Sequence, residues 1–305
     1  MSVLREKVKT FEVIFVNYFW TMIRILVSSI LSMLCLEACV HQPVPPPTPL
    51  QEWEYLFLAH PRHNNKDLQR VDSLVEKIPF DSYDAILLGG DLTANSSRED
   101  STLKYLDELF DLSSPKTLLA PGNHDVDKLD RLLQYTQKPS FYTYTENNIT
   151  FVVLDTQKDN CSIRGNQLNM LQNIADTLTQ SDQLVIIHHK LLWMPGNPVL
   201  ANQISQVSNA GICPFEFCLF ENNFWGDVYP LLLDIKNQGK QVILIGGDLG
   251  FKTKYFEYIT PEGIVLLGSG INQGDPDNPV LLLKKDSEMK TLSWESVLID
   301  SVLKK

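Results

Sequence analysis

The sequence is short of positive charge. Lysine and arginine number 26 against 37 aspartates and glutamates in 305 residues, a formal net charge of −11, and no basic cluster stands out. Nucleic-acid binding needs a basic stripe to neutralise phosphates, so no nucleic-acid-binding surface is expected. Long uninterrupted apolar runs are missing too. The stretch from about Val13 to Val40 is broken by Asn17 and Arg24. Its continuous part, Ile25 to Leu36, is shorter than the roughly 20 residues that span a bilayer. Cysteine is sparse, 5 in all.

What stands near the N-terminus is Met22-Ile-Arg24, then the apolar segment, then Leu36-Glu-Ala-Cys39. A positive start, a short apolar core and a small residue before a cut make a targeting signal. The segment resembles a bacterial lipoprotein signal with Cys39 as the lipidated first mature residue, although Glu37 is an awkward occupant of that box. Residues 22–38 are read as signal peptide and 1–21 as a mis-assigned N-terminal extension. An uncleaved anchor is the alternative. Either way the expectation is a membrane-anchored protein of the bacterial cell envelope, facing the periplasm or the exterior. The proline-rich segment 39–50 is a stiff polyproline spacer, and folded sequence, 51–305, starts near Trp53. An envelope location permits a disulfide between Cys213 and Cys218, which leaves Cys161 as an odd thiol.

The chain is organised around Leu118-Leu-Ala-Pro-Gly-Asn-His-Asp125, an apolar run that stops at Pro121-Gly122 and then presents an amide, an imidazole and a carboxylate. Such a run predicts a buried strand, and Asp125 ahead of Val126 to Gln134 predicts a helix start. Turns at the carboxyl ends of strands in α/β sheets are where ligands collect. The pattern recurs: Ala85 to Asp91 ends in Gly-Gly-Asp, Leu184 to His189 in two imidazoles, and Gln241 to Asp248 in Gly-Gly-Asp again. Four buried strands thus carry oxygen and imidazole donors to one edge, a set that suits a divalent first-row metal rather than a thiolate cage.

In their order after apolar strands, Gly90-Asp91, Gly122-Asn-His-Asp125 and His188-His189 resemble the calcineurin-like metallophosphoesterase superfamily, over about Glu54 to Leu283. The resemblance implies an α/β fold, a four-layer α-β-β-α sandwich of two mixed sheets flanked by helices. It also implies a centre of divalent Mn, Fe or Zn bridged by Asp91. Asn123, His188 and Asp248 complete one site, and His60 stands in for a family aspartate at the other. His189 would sit behind the ligands or face substrate, and Lys190 stands where proline is often found. His124 would stabilise charge on the phosphate or protonate the leaving oxygen, with Asp125 orienting its ring or capping a helix. The chain departs from the pattern at Arg62 and Gly250, where histidine ligands are expected, and guanidinium has no lone pair to donate. The first site is left with Asp91 and His60, or with His63 on a shifted turn. Arg62 is expected to face that site and bind a phosphate oxygen bidentately.

Elsewhere, apolar spacing predicts helices over Leu68 to Ile78, Thr102 to Phe110, Gln167 to Leu178 and Asp227 to Asn237. A hairpin is expected around Glu146-Asn-Asn148, and antiparallel strands close the fold after Asp248. The irregular stretch 193–225 is an insertion or a lid. The function these readings imply is a membrane-tethered, metal-dependent phosphoesterase acting on a phosphomonoester or phosphodiester. The alternative is a catalytically degenerate envelope lipoprotein that uses the same pocket for ligand binding or assembly. His124 favours the first and the depleted metal site the second.

Overall fold

The computed structural model describes residues 18–30, 51–209, 220, 222–288 and 290–305. The chain divides into two units, Met1–Pro49 and Leu50–Lys305. In the first, residues 18–30 are helical and largely exposed. Among the described residues no helix is long and apolar enough to cross a membrane. The lipidation position Cys39 and the expected Cys213–Cys218 pair lie outside the described residues. Cys161, the odd thiol whose pairing the sequence leaves open, is disulfide-bonded.

The second unit holds two sheets. One runs in the order β11-β10-β1-β2-β3, with β1 (Glu52–Leu58), β2 (Ala85–Leu88), β3 (Thr117–Leu119), β10 (Pro279–Asp286) and β11 (Ser293–Leu298). The other runs β4-β5-β6-β7-β9-β8, with β4 (Tyr142–Glu146), β5 (Ile149–Val153), β6 (Gln183–His188), β7 (Gln241–Gly246), β8 (Tyr255–Ile259) and β9 (Val265–Ser269). β1, β2 and β3 are mutually parallel, as are β5, β6, β7 and β9. Parallel strands covered on both faces read as continuous apolar runs, and β2, β5 and β6 are buried at every residue.

Strand alternation divides those runs among three cores. Tyr55, Phe57, Leu87, Leu118, Phe151, Val185, Ile187 and Ile243 face one another between the sheets. Leu56, Leu58, Ile86 and Leu88 point outward onto α1 (Asp100–Phe110) and α2 (Leu129–Thr136), through Leu103, Leu106, Phe110 and Leu132. Leu184, Ile186, Val242 and Leu244 point outward onto α3 (Gly165–Thr177) and α4 (Tyr229–Asn237), through Leu171, Ile174, Leu232 and Ile235. The result is the expected four-layer order. The β4–β5 hairpin turns on Asn147 and Asn148 at φ 52° and 62°, the paired left-handed residues of a two-residue turn.

Three expectations fail. The helix over Leu68 to Ile78 does not form; only Val75–Lys77 takes a 3₁₀ turn. Val71 bridges back to Arg62, the Asp72 carboxylate accepts the Leu74 N–H at 2.7 Å, and Pro79 bars a helical Ile78. Val71, Val75 and Ile78 are buried all the same, so their spacing records a core face made without a helix. Second, α2 begins at Leu129 rather than just after Asp125. Third, the closing strands are not all antiparallel: β9 runs parallel to β7, and β10 crosses to the first sheet beside β1. The 193–225 stretch, where described, carries short helical turns at Pro198–Ala201 and Ile204–Val207 and buries Trp193 against Phe256.

Candidate functional site

The turns after β1, β2, β3, β6 and β7 converge where the two sheets meet. Their approach depends on glycine. A Cβ on Gly247 would run into the Gly89 carbonyl, and one on Gly122 into the Asp91 carboxylate. His60 and Asp91 sit at φ 54° and 57°, a strained region for residues other than glycine, of a kind that clusters at functional sites. Hydrogen bonds from the His60 N–H to the Gly90 carbonyl, 2.9 Å, and from the Asp91 N–H to Asp125 Oδ2, 2.7 Å, hold them there.

Asp91 is the buried centre. Its Oδ1 accepts the His124 N–H at 3.0 Å and lies 3.5 Å from His189 Nε2; its Oδ2 lies 3.8 Å from His60 Nε2 and 3.9 Å from His124 Nε2. Burial works against its charge, but the imidazoles of His189, His60 and His124 and the Lys190 ammonium outweigh it and hold the carboxyl well below the usual range. Asp125 is not placed as expected. Its carboxylate accepts the N–H groups of Asp91, Leu92 and Gly122 and the Ser96 hydroxyl, at 2.5 to 3.0 Å. It neither caps α2 nor touches the His124 ring. Burial and then the Asp91 charge push its pKa up, opposed by the Ser96 hydroxyl and backbone amides. Asp125 therefore ties the β2 and β3 turns together.

Four histidines share one orientation. The Nδ1 of His60, His124, His188 and His189 lies within 2.7 to 3.1 Å of the carbonyls of Ile271, Ala94, Lys190 and Gly89, respectively. A carbonyl only accepts, so each Nδ1 carries a proton, and where Nε2 faces an N–H donor it presents a lone pair. For His188 that lone pair takes the Trp193 indole N–H at 3.3 Å, within the helix-side core. Adjacent strand residues point to opposite faces, and here His189, not His188, faces Asp91 and Asp248. The expected ligand role of His188 is thus misplaced by one residue. Burial drives the pKa of His188, and likewise of His60, down to about 4.

His189 Nε2 is buried and has no hydrogen-bond partner; it points between Asp91 Oδ1 and Asp248 Oδ1, the latter 4.0 Å away. A ring nitrogen and two carboxylate oxygens converging on one point are donor types that a divalent cation draws on. The neighbouring donors are already engaged, however. Lys190 Nζ lies 2.6 Å from Asn123 Oδ1 and 3.1 Å from Asp248 Oδ2, and Asp248 Oδ1 accepts from Asn209 Nδ2 at 3.3 Å. Arg62 Nη1 donates to His124 Nε2 at 2.5 Å, its guanidinium 5.6 Å from the centre of the half-exposed Phe251 ring. His63 Nδ1 accepts the Asn65 N–H, and Gly250 brings no side chain. Among the described residues no group of three His, Cys, Asp or Glu is arranged to hold a metal ion. The donors present do not fit two divalent ions.

His60, Arg62, Asp91, Asn123, His124 and Asp248, singled out in the sequence, lie near one another, as does His189, expected behind the ligands or facing substrate; Asn209 and Phe251 were not singled out, and Lys190 was noted only as standing where proline is often found. Lys190 carried a signal, since a charged residue directly after a fully apolar strand and two histidines is out of place unless it reaches an acid.

No functionally curated protein matches the sequence. Among solved structures, a dimetal phosphatase from Danio rerio superposes with a TM-score of 0.50 at 12% identity, over 81% of this chain and 99% of its own. The NAD nucleotidase of Haemophilus influenzae gives 0.42 at 11%, over 82% of this chain and 50% of that one. A 5′-nucleotidase precursor from Thermus thermophilus gives 0.43 at 13%, over 81% and 54%. The chain thus spans about half the length of either nucleotidase, and at such identities the likeness is one of fold. Residues 38–209 match the model of the calcineurin-like phosphoesterases, more than half of the sequence, and the chain belongs to that family.

Proposed function

We propose that this chain is a membrane-tethered, phosphoester-directed protein that holds its ligand on side-chain cations and does not hydrolyse it. The observation that carries the reading is the Arg62–His124 contact. Proton transfer to a leaving oxygen needs an N–H aimed at the ligand. Here His124 Nδ1 faces the Ala94 carbonyl and Nε2 accepts from Arg62, so neither nitrogen offers one. The guanidinium commits one of its five donors to that bond, and its fork suits a phosphate oxygen pair. His124 keeps 27% of its side chain exposed, so the pair is reachable from solvent. Tethering follows from the Cys39 signal and the proline spacer.

Calorimetric titration of Leu50–Lys305, the compact unit with all three cores, with glycerol phosphate in the presence of chelator tests this. Binding is expected without divalent metal, about tenfold weaker in Arg62→Gln, with no phosphate released. The orphaned His189 Nε2 supports a second reading, a hydrolase using one divalent cation. Phosphate release that stops with chelator and returns with Mn²⁺ would establish that reading in place of the first.

A further inference from the structure

Lys190 is one of the largest fully buried side chains in the protein, 1% exposed. It follows the two histidines at the end of β6, yet its ammonium reaches Asn123 on the β3 turn and Asp248 after β7. The lysine thereby links turns from both sheets. A buried ammonium is costly unless acceptors and an opposite charge surround it, and Asn123 Oδ1 and Asp248 Oδ2 supply both. Asp91 and Asp248 are each 2% exposed, and two buried carboxylates need positive charge nearby.

The two acceptors that Lys190 holds are also two of the four donors that the family resemblance assigns to a divalent ion. The other two are Asp91 and a histidine at the end of β6, for which the resemblance gives His188, whereas His189, just past the strand, is the one that faces Asp91 and Asp248. A divalent ion binds oxygen and imidazole at about 2.0–2.2 Å, whereas the ammonium approaches the same oxygens at 2.6 and 3.1 Å. The two cannot share Asn123 Oδ1 and Asp248 Oδ2, because the sites coincide and the charges repel.

We propose that Lys190 is a built-in cation that takes one divalent-metal position between Asn123 and Asp248, and that its removal turns Asp91, Asn123, His189 and Asp248 into a site for one divalent ion. This rests on the reading of the pocket as one held by side-chain cations. His189 Nε2, buried and unpaired, is the donor left waiting beside the lysine. Its Nδ1 is fixed on the Gly89 carbonyl at 2.7 Å, an anchor of the kind that orients metal-bound imidazoles.

The test compares metal content by mass spectrometry in the full chain, purified in detergent, incubated with Mn²⁺ or Zn²⁺ alone and desalted. Lys190→Met keeps length and removes charge; Lys190→Gln keeps an N–H for Asn123. The proposal predicts that these variants carry about one equivalent more metal than the wild type, and that metal raises their melting temperature more than it raises the wild type's. The gain should vanish when Asp248→Asn is added. No gain in folded variants overturns the proposal, and so does failure of both variants to fold with or without metal, since Lys190 would then be a plain structural lysine. The wild-type baseline is a separate readout: one equivalent there replaces the metal-free reading of function with the one-cation hydrolase and leaves the increment as the measure of Lys190.

Discussion

The sandwich buries a lysine near each end of its strands, and the two are handled differently. Lys190, at the carboxyl end of the parallel strands, is paired with a carboxylate, Asp248. Lys285, on β10 near the opposite end, meets among the described residues two neutral oxygens, the Asn147 carbonyl at 2.9 Å and Gln183 Oε1 at 2.7 Å. Burial lowers the pKa of Lys285, opposed by the charge of Asp182. A lysine among neutral acceptors fastens a turn to a strand. One among carboxylates supplies charge that the carboxylates require. The difference marks one edge of the fold as built around a charge balance and the other as packing.

The largest expected effect breaks that balance. Lys190→Met leaves Asp248 buried beside Asp91 without its counter-ion and should cost about 3 to 5 kcal/mol in metal-free buffer, the range for removing one partner of a buried pair. Urea unfolding monitored by tryptophan fluorescence measures it. A loss below about 1 kcal/mol would show that the ammonium contributes no charge the site needs, and the contrast between the edges would collapse.

Acid should weaken the same edge. His60, His124, His188 and His189 all lie at or just past carboxyl ends of strands, whereas no described histidine lies at the Lys285 end. Burial holds His60 and His188 near 4, below the ordinary 6.5. The unfolded chain takes up these protons first, so their stability contribution is whole above pH 6.5 and is lost as pH falls toward 4. A shift of that size corresponds to about 3 kcal/mol for each group. Asp91, also depressed, adds a further loss below the usual carboxylate range. Unfolding free energies at a series of pH values should fall steadily through that window. His188→Leu should remove part of the slope, and an unchanged slope would mean that His188 is not held neutral in the core.

These contrasts bear on what could be read from the chain. The strands were legible because buried parallel strands leave continuous apolar runs, and the turn residues at their ends were legible because Gly-Gly-Asp and Gly-Asn-His-Asp interrupt those runs abruptly. The direction of a side chain was not. His188 and His189 differ by one step in register, and a single step changes the face; only the neighbours Trp193 and Asp91 decide which ring goes where. The 68–78 segment misled for a related reason, since a periodic apolar face is equally served by a turn that Asp72 and Pro79 impose. The oddity of Lys190 after an apolar strand was visible, but its partners, Asn123 and Asp248, were not, because they lie 67 and 58 residues away and no local pattern connects them.

The smallest effect is expected at the opposite end. Lys285→Met removes two hydrogen bonds and leaves two acceptors, the Gln183 side chain and the Asn147 carbonyl, short of a donor, a loss of about 1 to 3 kcal/mol taken alone. Burial disfavours the ammonium there, so its removal also relieves a desolvation cost, and a methionine side chain packs along the same path. The net change should be about 1 kcal/mol or less, unaffected by Mn²⁺ and without the acid dependence of the site edge. Urea unfolding of this variant with and without Mn²⁺, beside Lys190→Met, measures the difference directly. If the two lysines proved equally costly, or if metal stabilised both variants alike, the charge on Lys190 would have no special partner in Asp248, and its ammonium would be one more buried hydrogen-bond donor.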